Sequence, residues 1–264
     1  RQRQMCIRDS GELETELILR AARLRPPVLA ALHVPVTPCG AVLVPPRKED
    51  HDIVRGLAEN AARNGVEVHI RESDGALLVP GESVTDPVVF TLAMAASAVA
   101  AGARVIMNAR VTAITTDQDS VAVHTENGDV ITSDVVVNAA GLYADEIARL
   151  LGDDSFEIYP RKGEFFVFEM PGGQTLDHIV LPVPTKRTKG VLVFPTLDGR
   201  VVTGPTAVDL EDKTDWSVRP EAADEIIPKA VQQYAPLDGL SPISSYAGLR
   251  PAGRGSNYVI GSST

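Results

Sequence analysis

The sequence predicts an α/β fold in which an α/β layer encloses a separate antiparallel sheet. Helix-like and strand-like segments alternate as far as residue 151, which is typical of an α/β layer. From Ile158 onward, strand-like segments follow one another with only turns between them, which indicates an antiparallel sheet. The two kinds of segment interleave along the 264 residues, so no linker separates the layers.

Helices are predicted where apolar residues recur at helical spacing and a stop signal follows. Pro26 and Pro27 are expected to stop the first helix, and Gly65 and Gly102 to end the next two. Pro87 suits the first turn of the third helix. The predicted helices cover residues 12–25, 48–64, 87–101 and 142–151, with a further one near 220–234.

The predicted strands fall into two groups. In the first, Asn127-Gly128 is a strong hairpin signal, and the apolar run 134–138 is expected to be a parallel strand buried on both faces. This group covers residues 41–45, 66–70, 104–108, 110–117, the hairpin 121–133, and 134–138. The second group, the antiparallel sheet, covers residues 164–170, 178–183, 190–196, 200–206, 243–249 and 257–261.

The segment 134–145 is the most informative one for function. Its apolar run leads into Asn138-Ala139-Ala140-Gly141, where side chains are small, and a helix follows at once. Small residues at such a turn let a bulky ligand contact the backbone, and the helix N-terminus offers free N–H groups to an anion. A tight turn without any ligand is the alternative.

Composition excludes several classes of protein. The hydrophobic fraction of 44% and the charged fraction of 23% are those of a globular protein. The net charge of −10 argues against nucleic-acid binding, although it leaves room for a local basic pocket. Cys6 and Cys39 form no metal or redox spacing and indicate a reducing compartment. The apolar stretch 88–103 is too short to span a bilayer, so we expect a cytoplasmic protein.

Seven motifs give the chain a family resemblance. They are VPGESVTDP (79–87), GARVIMNARVTAI (102–114), VVVNAAGLYAD (135–145), YPRKGEFFVF (159–168), LPVPTKRTKGVLVFPT (181–196), VVTGPTA (201–207) and YAGLRP (246–251). In this order they resemble the D-amino-acid-oxidase-like flavoprotein superfamily over roughly residues 11–264. They are most similar to its branch of FAD-dependent, anaerobic-type glycerol-3-phosphate dehydrogenases and L-2-hydroxyglutarate oxidases.

The resemblance implies an FAD/NAD(P)-binding three-layer domain interleaved with an antiparallel-sheet substrate domain. It also implies an FAD-dependent enzyme that oxidises a small anionic alcohol, with sn-glycerol 3-phosphate as the first candidate and dihydroxyacetone phosphate as its product. A 2-hydroxy acid such as L-2-hydroxyglutarate, or an amino acid or amine, is the alternative substrate. The electron acceptor could be a quinone, a partner subunit or oxygen. Peripheral association with the inner face of the membrane is a further possibility.

The primary signature of the superfamily, a Gly-x-Gly-x-x-Gly turn that brings pyrophosphate to a helix N-terminus, does not occur in this sequence. The nearest segment, AGRGSN (252–257), follows a proline and opens no helix. We therefore expect an internal fragment of a longer enzyme. A hypothesis of another class is that the chain is a non-catalytic fragment without bound flavin. Residues 1–10 match none of the patterns, so we expect an artefactual or disordered tail there.

The same motifs predict how the chain divides. Residues 11–38, 84–150 and 246–264 are expected to form the partial FAD-binding domain. Residues 39–83 and 151–245 are expected to form the substrate domain.

Arg250 is the first predicted catalytic residue. It ends a strand in the motif Gly-Leu-Arg-Pro, and the fork of a guanidinium suits bidentate binding of a carboxylate or phosphate. The resemblance implies that this arginine faces the flavin and holds the anionic group of the substrate. A structural salt bridge is the alternative, and the nearby Arg254 is a weaker candidate.

Lys162 is the second predicted catalytic residue. It belongs to the charge run 161–164, at the entry of a strand that lines the substrate cavity in the family. Strand alternation puts Lys162 and Glu164 on one face and Arg161 on the other. Lys162 could hold phosphate as a point charge, whereas a solvated charge run is the alternative. The cluster 186–189 is expected to be a loop tip, either solvated or at the mouth of the active site.

The resemblance also assigns contacts with FAD. One residue lies in the strand whose backbone meets adenine in family members, three form the turn beside the cofactor, and two glycines lie where the backbone would pass close to the flavin. In that order they are Val111, Ala140, Gly141, Leu142, Gly248 and Gly261. Either glycine also suits an ordinary bulge or turn. The histidines have no metal-ligand spacing, so no metal is expected.

Overall fold

The structure is a computed structural model that describes residues 13–184 and 190–253. The chain divides into two compact units. Unit 1 comprises Arg1–Ala101, Glu164–Ala207 and Ser217–Ala247, and unit 2 comprises Gly102–Gly163, Val208–Trp216 and Gly248–Thr264. The predicted division into an FAD-binding and a substrate domain follows other boundaries and stays a prediction.

The elements are numbered in chain order. The helices are α1 (Leu13–Ala31), α2 (Asp50–Arg63), α3 (Pro87–Ala100), α4 (Ala144–Arg149) and α5 (Ala222–Gln233). The strands of the first half are β1 (Val36–Pro38), β2 (Ala41–Leu43), β3 (His69–Ile70), β4 (Leu77–Val79), β5 (Ser83–Thr85), β6 (Val111–Thr116), β7 (Val121–Thr125) and β8 (Val130–Ser133). Those of the second half are β9 (Ile158–Phe168), β10 (Ile179–Leu181), β11 (Leu192–Pro195), β12 (Val201–Gly204), β13 (Val208–Asp209) and β14 (Ser244–Gly253).

The large sheet of unit 1 has the strand order β9-β12-β11-β10-β2-β4-β3. The pairs from β9 to β10 are antiparallel, which confirms the antiparallel sheet predicted for the second half of the chain. Strand β2 joins this sheet parallel to β10, with Val42 opposite Val180. Strands β1 and β5 form a separate antiparallel pair.

Helices α2 and α5 form the core of unit 1 by packing on this sheet. Both helices carry buried residues three or four positions apart, which places these residues on one helix face. Helix α5 buries Ala222, Ile226 and Ala230 against residues such as Phe168 and Val193. Helix α2 buries Val54, Leu57 and Ala61 against strands β2, β4 and β10.

The ends of the first three helices follow their sequence signals only in part. Asp86 caps α3 by accepting hydrogen bonds from the N–H groups of Val88 and Val89, as the start at Pro87 predicts. The predicted stop of α1 at Pro26 is wrong, because the helix continues to Ala31. Both prolines of this helix are solvent-exposed, and the buried side chain of Leu29 holds the last turn in place.

Unit 2 contains the antiparallel meander β6-β7-β8. Its second hairpin turns at Gly128, whose φ is +85°, so the predicted Asn127-Gly128 turn is confirmed. In the same unit, β13 pairs antiparallel with the first half of β9, with Val208 opposite Lys162. Strand β14 also pairs with β9.

The run 134–138 contradicts the sequence prediction of a strand buried on both faces. The structure assigns no strand there, and the side chains of Val135 and Val137 are 73% and 82% exposed. A strand requires a neighbour with which to exchange hydrogen bonds, and no strand of the described residues pairs with this run. The predicted strand 104–108 is also absent, and Met107 there is 75% exposed.

The fully buried Leu77 and the exposed Leu92 provide a matched test of the core. We expect Leu77→Ala to lower the free energy of unfolding by about 2–5 kcal/mol, because the side chain is completely buried and its removal leaves a cavity. Leu92→Ala, on the 64% exposed position of α3, should change it by less than about 0.5 kcal/mol. Urea denaturation checks both values, and equal losses would contradict this assignment of the core.

Candidate functional site

Arg250 lies on β14 and is anchored to the neighbouring strand β9. Its Nε donates to the carbonyl oxygen of Arg161 at 3.3 Å, and its Nη2 approaches the carbonyl oxygen of Lys162 at 3.5 Å. The side chain is half-buried. Both of these contacts go to main-chain oxygens, and the alternative role of a structural salt bridge stays open. These contacts restrict the direction in which the guanidinium points, as an anion-binding group requires.

Lys162 is completely buried, and its Nζ donates a hydrogen bond of 2.7 Å to Asp215 Oδ2. The alternative of a solvated charge run is therefore wrong for this position. Asp215 remains 36% exposed, so the pair has one side in contact with solvent. A phosphate group would have to compete with this carboxylate for the ammonium. The predicted direct contact between Lys162 and the substrate stays a prediction.

Arg161, which precedes Lys162 on β9, also pairs with an acidic residue, Asp209. Arg161 donates from Nε and Nη2 to the two carboxylate oxygens of Asp209, at 2.5 Å and 3.0 Å. Its Nη2 also donates to the hydroxyl of Tyr159. The register places Asp209 opposite Arg161 on β13 and β9, so the ion pair spans two paired strands.

Glu164 is the second fully buried charge of β9, and its partners belong to unit 1. Arg219 donates from its backbone N–H at 2.7 Å and from Nη2 at 2.8 Å, and Thr206 donates from Oγ1 at 2.7 Å. Burial alone would raise the pKa of Glu164, but these hydrogen bonds and the charge of Arg219 outweigh it and lower the pKa. The carboxyl group is therefore held ionised.

The predicted cofactor turn has the small, open backbone that the sequence indicated. Gly141 has φ +59°, and a Cβ added there would meet no atom within 4 Å. The side chain of Asn138 closes the turn by accepting from the N–H of Ala140 and donating to the carbonyl of Ala144. Because α4 is only six residues long and carries Asp145 and Glu146 in its first turn, its N-terminus is no anion site.

Lys213 is the residue that holds α4 against the loop after β13. Its Nζ donates to Asp145 Oδ1 at 3.1 Å and to Glu146 Oε1 at 3.2 Å, and it lies 5.2 Å from the ring centre of Tyr143. Asp145 also accepts from Arg149 and from the N–H of Ile158. Burial favours neutral forms, yet these bonds lower the pKa of Asp145 and raise the pKa of Lys213.

Sequence reasoning missed Asp145, Lys213, Asp215 and Arg219. The available signal, for Lys213 and Asp215 only, was the run LEDKTDW (210–216), in which a lysine lies between acidic residues. Without the pairing of β13 with β9, that run could not be distinguished from a solvated loop.

The backbone at the predicted FAD contacts leaves room for the cofactor. The turn at Gly141 is exposed and open, and an added Cβ at Gly248 would also meet no atom within 4 Å. Val111 is half-buried at the start of β6, and Ala140 and Leu142 flank Gly141. Gly261 and Arg254 lie outside the described residues, as does the cluster 186–189.

Other kinds of site find no support in the part of the chain that the structure describes. In residues 13–184 and 190–253 no group of His, Cys, Asp or Glu side chains could hold a metal ion. None of the helices in these ranges is long and apolar enough to cross a bilayer. A cavity of about 970 Å³ in unit 1, between α2 and α5, is lined by none of the predicted site residues.

Comparison with known proteins identifies the family. A family model described as FAD dependent oxidoreductase matches residues 3–264. The chain belongs to this family of FAD-dependent oxidoreductases. It is 28% identical to a glycerol 3-phosphate dehydrogenase of Caloramator mitchellensis over 95% of its own length. It is 32% identical to a glycerol 3-phosphate oxidase of Mycoplasma pneumoniae over 70%, and 29% identical to an L-2-hydroxyglutarate dehydrogenase of Escherichia coli K12 over 64%.

The chain spans about half the length of these relatives, namely 55%, 49% and 44%. Solved structures share its fold. The FAD-bound L-α-glycerophosphate oxidase of Mycoplasma pneumoniae superposes with a TM-score of 0.81 at 24% identity, over 92% of this chain and 69% of that one. Glycine oxidase of Geobacillus kaustophilus gives 0.81 at 20% identity, over 95% and 70%. The predicted mixed α/β flavoprotein fold is thereby confirmed.

The lowered pKa of Glu164 predicts a specific loss of stability in acid. A carboxyl group whose pKa is lower in the folded chain stabilises it above the unfolded pKa, about 4.3, and this contribution disappears as the pH falls through the folded pKa. At neutral pH, Glu164→Gln should lower the free energy of unfolding by about 1–3 kcal/mol. The deficit should narrow below about pH 4.

Urea denaturation across this pH range measures the deficit, with Glu169→Gln at an exposed position of the same segment as the control. A deficit for Glu164→Gln that stays constant with pH would show that the ionised carboxylate is not what stabilises the fold.

Proposed function

We propose that this chain is the substrate-binding part of an FAD-dependent enzyme that oxidises a small anionic alcohol, C–OH to C=O. The first candidate substrate is sn-glycerol 3-phosphate, with dihydroxyacetone phosphate as the product. The observation that carries this proposal is the 28% identity with a glycerol 3-phosphate dehydrogenase along 95% of the chain. FAD, when bound, supplies the redox chemistry by accepting the two electrons of the alcohol.

The residues of this chain bind and orient the substrate. Arg250 is proposed to hold its anionic group, because the two main-chain contacts with β9 preset the guanidinium for a bidentate interaction. Lys162 adds a positive charge on the neighbouring strand β9 and, through its carbonyl, helps to hold Arg250. Ala140, Gly141 and Leu142 would contact the cofactor, together with Val111, Gly248 and Gly261.

Two alternative substrates remain within the family: L-2-hydroxyglutarate and an amine. Oxidation of L-2-hydroxyglutarate is supported by the relatives at 25–30% identity that carry that name. Oxidation of an amine is supported only by fold, since glycine oxidase is 20% identical. A carboxylate or phosphate is common to all these substrates, so Arg250 serves each of them. The electron acceptor can be a quinone, a partner subunit or oxygen.

Replacing Arg250 tests the anion-binding role. With FAD in excess, Arg250→Ala should lower kcat/KM for the anionic alcohol by the equivalent of about 2–5 kcal/mol, while flavin binding stays unchanged. Arg250→Lys should recover only part of the activity, because an ammonium cannot form the bidentate contact. Arg200→Ala, an exposed arginine that pairs with Asp198, is the matched control and should leave kcat/KM unchanged. Loss of flavin binding with unchanged catalysis per bound flavin would assign Arg250 another role.

The absent Gly-x-Gly-x-x-Gly turn predicts weak cofactor binding by residues 1–264 themselves. We expect a dissociation constant for FAD no tighter than about micromolar, because that turn normally supplies backbone N–H groups to the pyrophosphate. Equilibrium dialysis measures it, and sub-micromolar binding would contradict the expectation. A chain that binds no flavin at any concentration would instead support the alternative of a non-catalytic fragment.

A further inference from the structure

We propose that Lys213 is a positioning residue for the cofactor turn, and that it fixes the shape of residues 140–146 from the loop after β13. This inference rests on the proposed function, because it assigns a purpose to the turn that would contact FAD. Lys213, the turn and α4 all belong to unit 2.

Lys213 contacts both sides of the junction between the turn and α4. Its ammonium lies over the ring of Tyr143, the last residue of the 3₁₀ turn that begins at Gly141, with 5.2 Å between Nζ and the ring centre. It also donates to Asp145 at 3.1 Å and to Glu146 at 3.2 Å, in the first turn of α4. One side chain therefore contacts three of the four positions that follow Leu142.

These contacts are partly shielded from solvent, which gives them more weight than a surface ion pair. The side chain of Lys213 is 17% exposed and that of Asp145 only 3% exposed. Asp145 also accepts from the N–H of Ile158, at the start of β9, and from Arg149. An Asp145 carboxylate without Lys213 would keep its burial and lose one of its charged donors.

The loop that carries Lys213 is itself fixed at several points. Asp212 accepts from the N–H and hydroxyl of Thr214, at 2.7 Å and 2.6 Å, which shapes the tip of the loop around Lys213. On either side, Asp209 pairs with Arg161 and Asp215 with Lys162. The segment 209–215 thus holds both the part of β9 whose carbonyls contact Arg250 and the turn at Gly141, which links the predicted anion ligand to the predicted cofactor contact.

The turn at Gly141 and helix α4 have little conformational stability of their own, so contacts from other segments can determine their shape. Gly141 occupies a left-handed conformation with no atom near its missing Cβ, and α4 has only six residues. A helix of this length has little stability of its own, so contacts from outside decide its shape.

Amide hydrogen exchange of the 264-residue chain, without flavin, tests the proposal. Lys213→Met removes the charge and keeps most of the side-chain volume, and we expect exchange at residues 140–146 to accelerate about tenfold. Lys213→Arg should restore protection, because the guanidinium keeps both the charge and the donors. Lys229→Met, the same replacement at an exposed lysine of α5, is the control and should change nothing at residues 140–146. Asp145→Asn combined with Lys213→Met should exchange no faster than the more affected single variant.

Unchanged exchange at residues 140–146 in Lys213→Met would overturn the proposal. Equal acceleration along the meander β6-β7-β8 would also overturn it, because it would show a general loss of stability in unit 2. Since the measurement contains neither flavin nor substrate, its outcome is independent of the proposed function. Failure of FAD to bind would reject that function, while the exchange result alone decides the role of Lys213 in the shape of the turn.

Discussion

Two fully buried charges on strand β9, Lys162 and Glu164, are the constraint on which the rest of this structure depends. A buried charge without a partner costs several kcal/mol, so each must find a counter-charge when the chain folds. In unit 2 Lys162 pairs with Asp215, and in unit 1 Glu164 pairs with Arg219. Both partners come from the segment after β13, so this segment must pack against β9 for the two charges to be paired. Removal of either partner would leave a buried charge unpaired and would destabilise the fold, although solvent reaches Asp215 and Arg219, which are 36% and 30% exposed, and reduces the cost.

The position of this returning segment has consequences for chemistry. Residues 209–215 contribute Asp209 to Arg161 and Lys213 to Asp145, so the order of charges along DLEDKTD matches groups on β9 and α4. The carbonyls of Arg161 and Lys162, held in place by these pairs, then accept from Arg250. The main chain of β9 thus directs Arg250, the proposed ligand of the substrate anion. The side chains of β9 at Arg161 and Lys162 are themselves held by Asp209 and Asp215. An arrangement of this kind presents a guanidinium without requiring it to reorganise on binding.

Features that depend on local sequence could be predicted, and those that depend on distant partners could not. The Asn127-Gly128 hairpin and the start of α3 at Asp86-Pro87 follow from the conformations that these residues favour. The alternation of Lys162 and Glu164 on one face of a strand was also foreseen, although their burial was not. Their partners lie 53 and 55 residues away, and no pattern in one sequence indicates such a pairing. The helix stop predicted at Pro26 was wrong because the tertiary packing of Leu29 outweighed the local effect of the proline. The strand predicted around residues 135–137 was wrong because an apolar composition does not supply a neighbouring strand.

The most direct test of the central claim, that this chain serves the oxidation of a small anionic alcohol by FAD, is the reduction of the flavin by substrate. The FAD-saturated protein would be mixed anaerobically with sn-glycerol 3-phosphate, L-2-hydroxyglutarate, glycine or uncharged glycerol, and the visible absorbance of the oxidised flavin would be followed. The account predicts that absorbance is lost with an anionic alcohol and persists with glycerol. Persistence with both anionic alcohols, loss with glycine alone, or an equally fast loss with glycerol would contradict it.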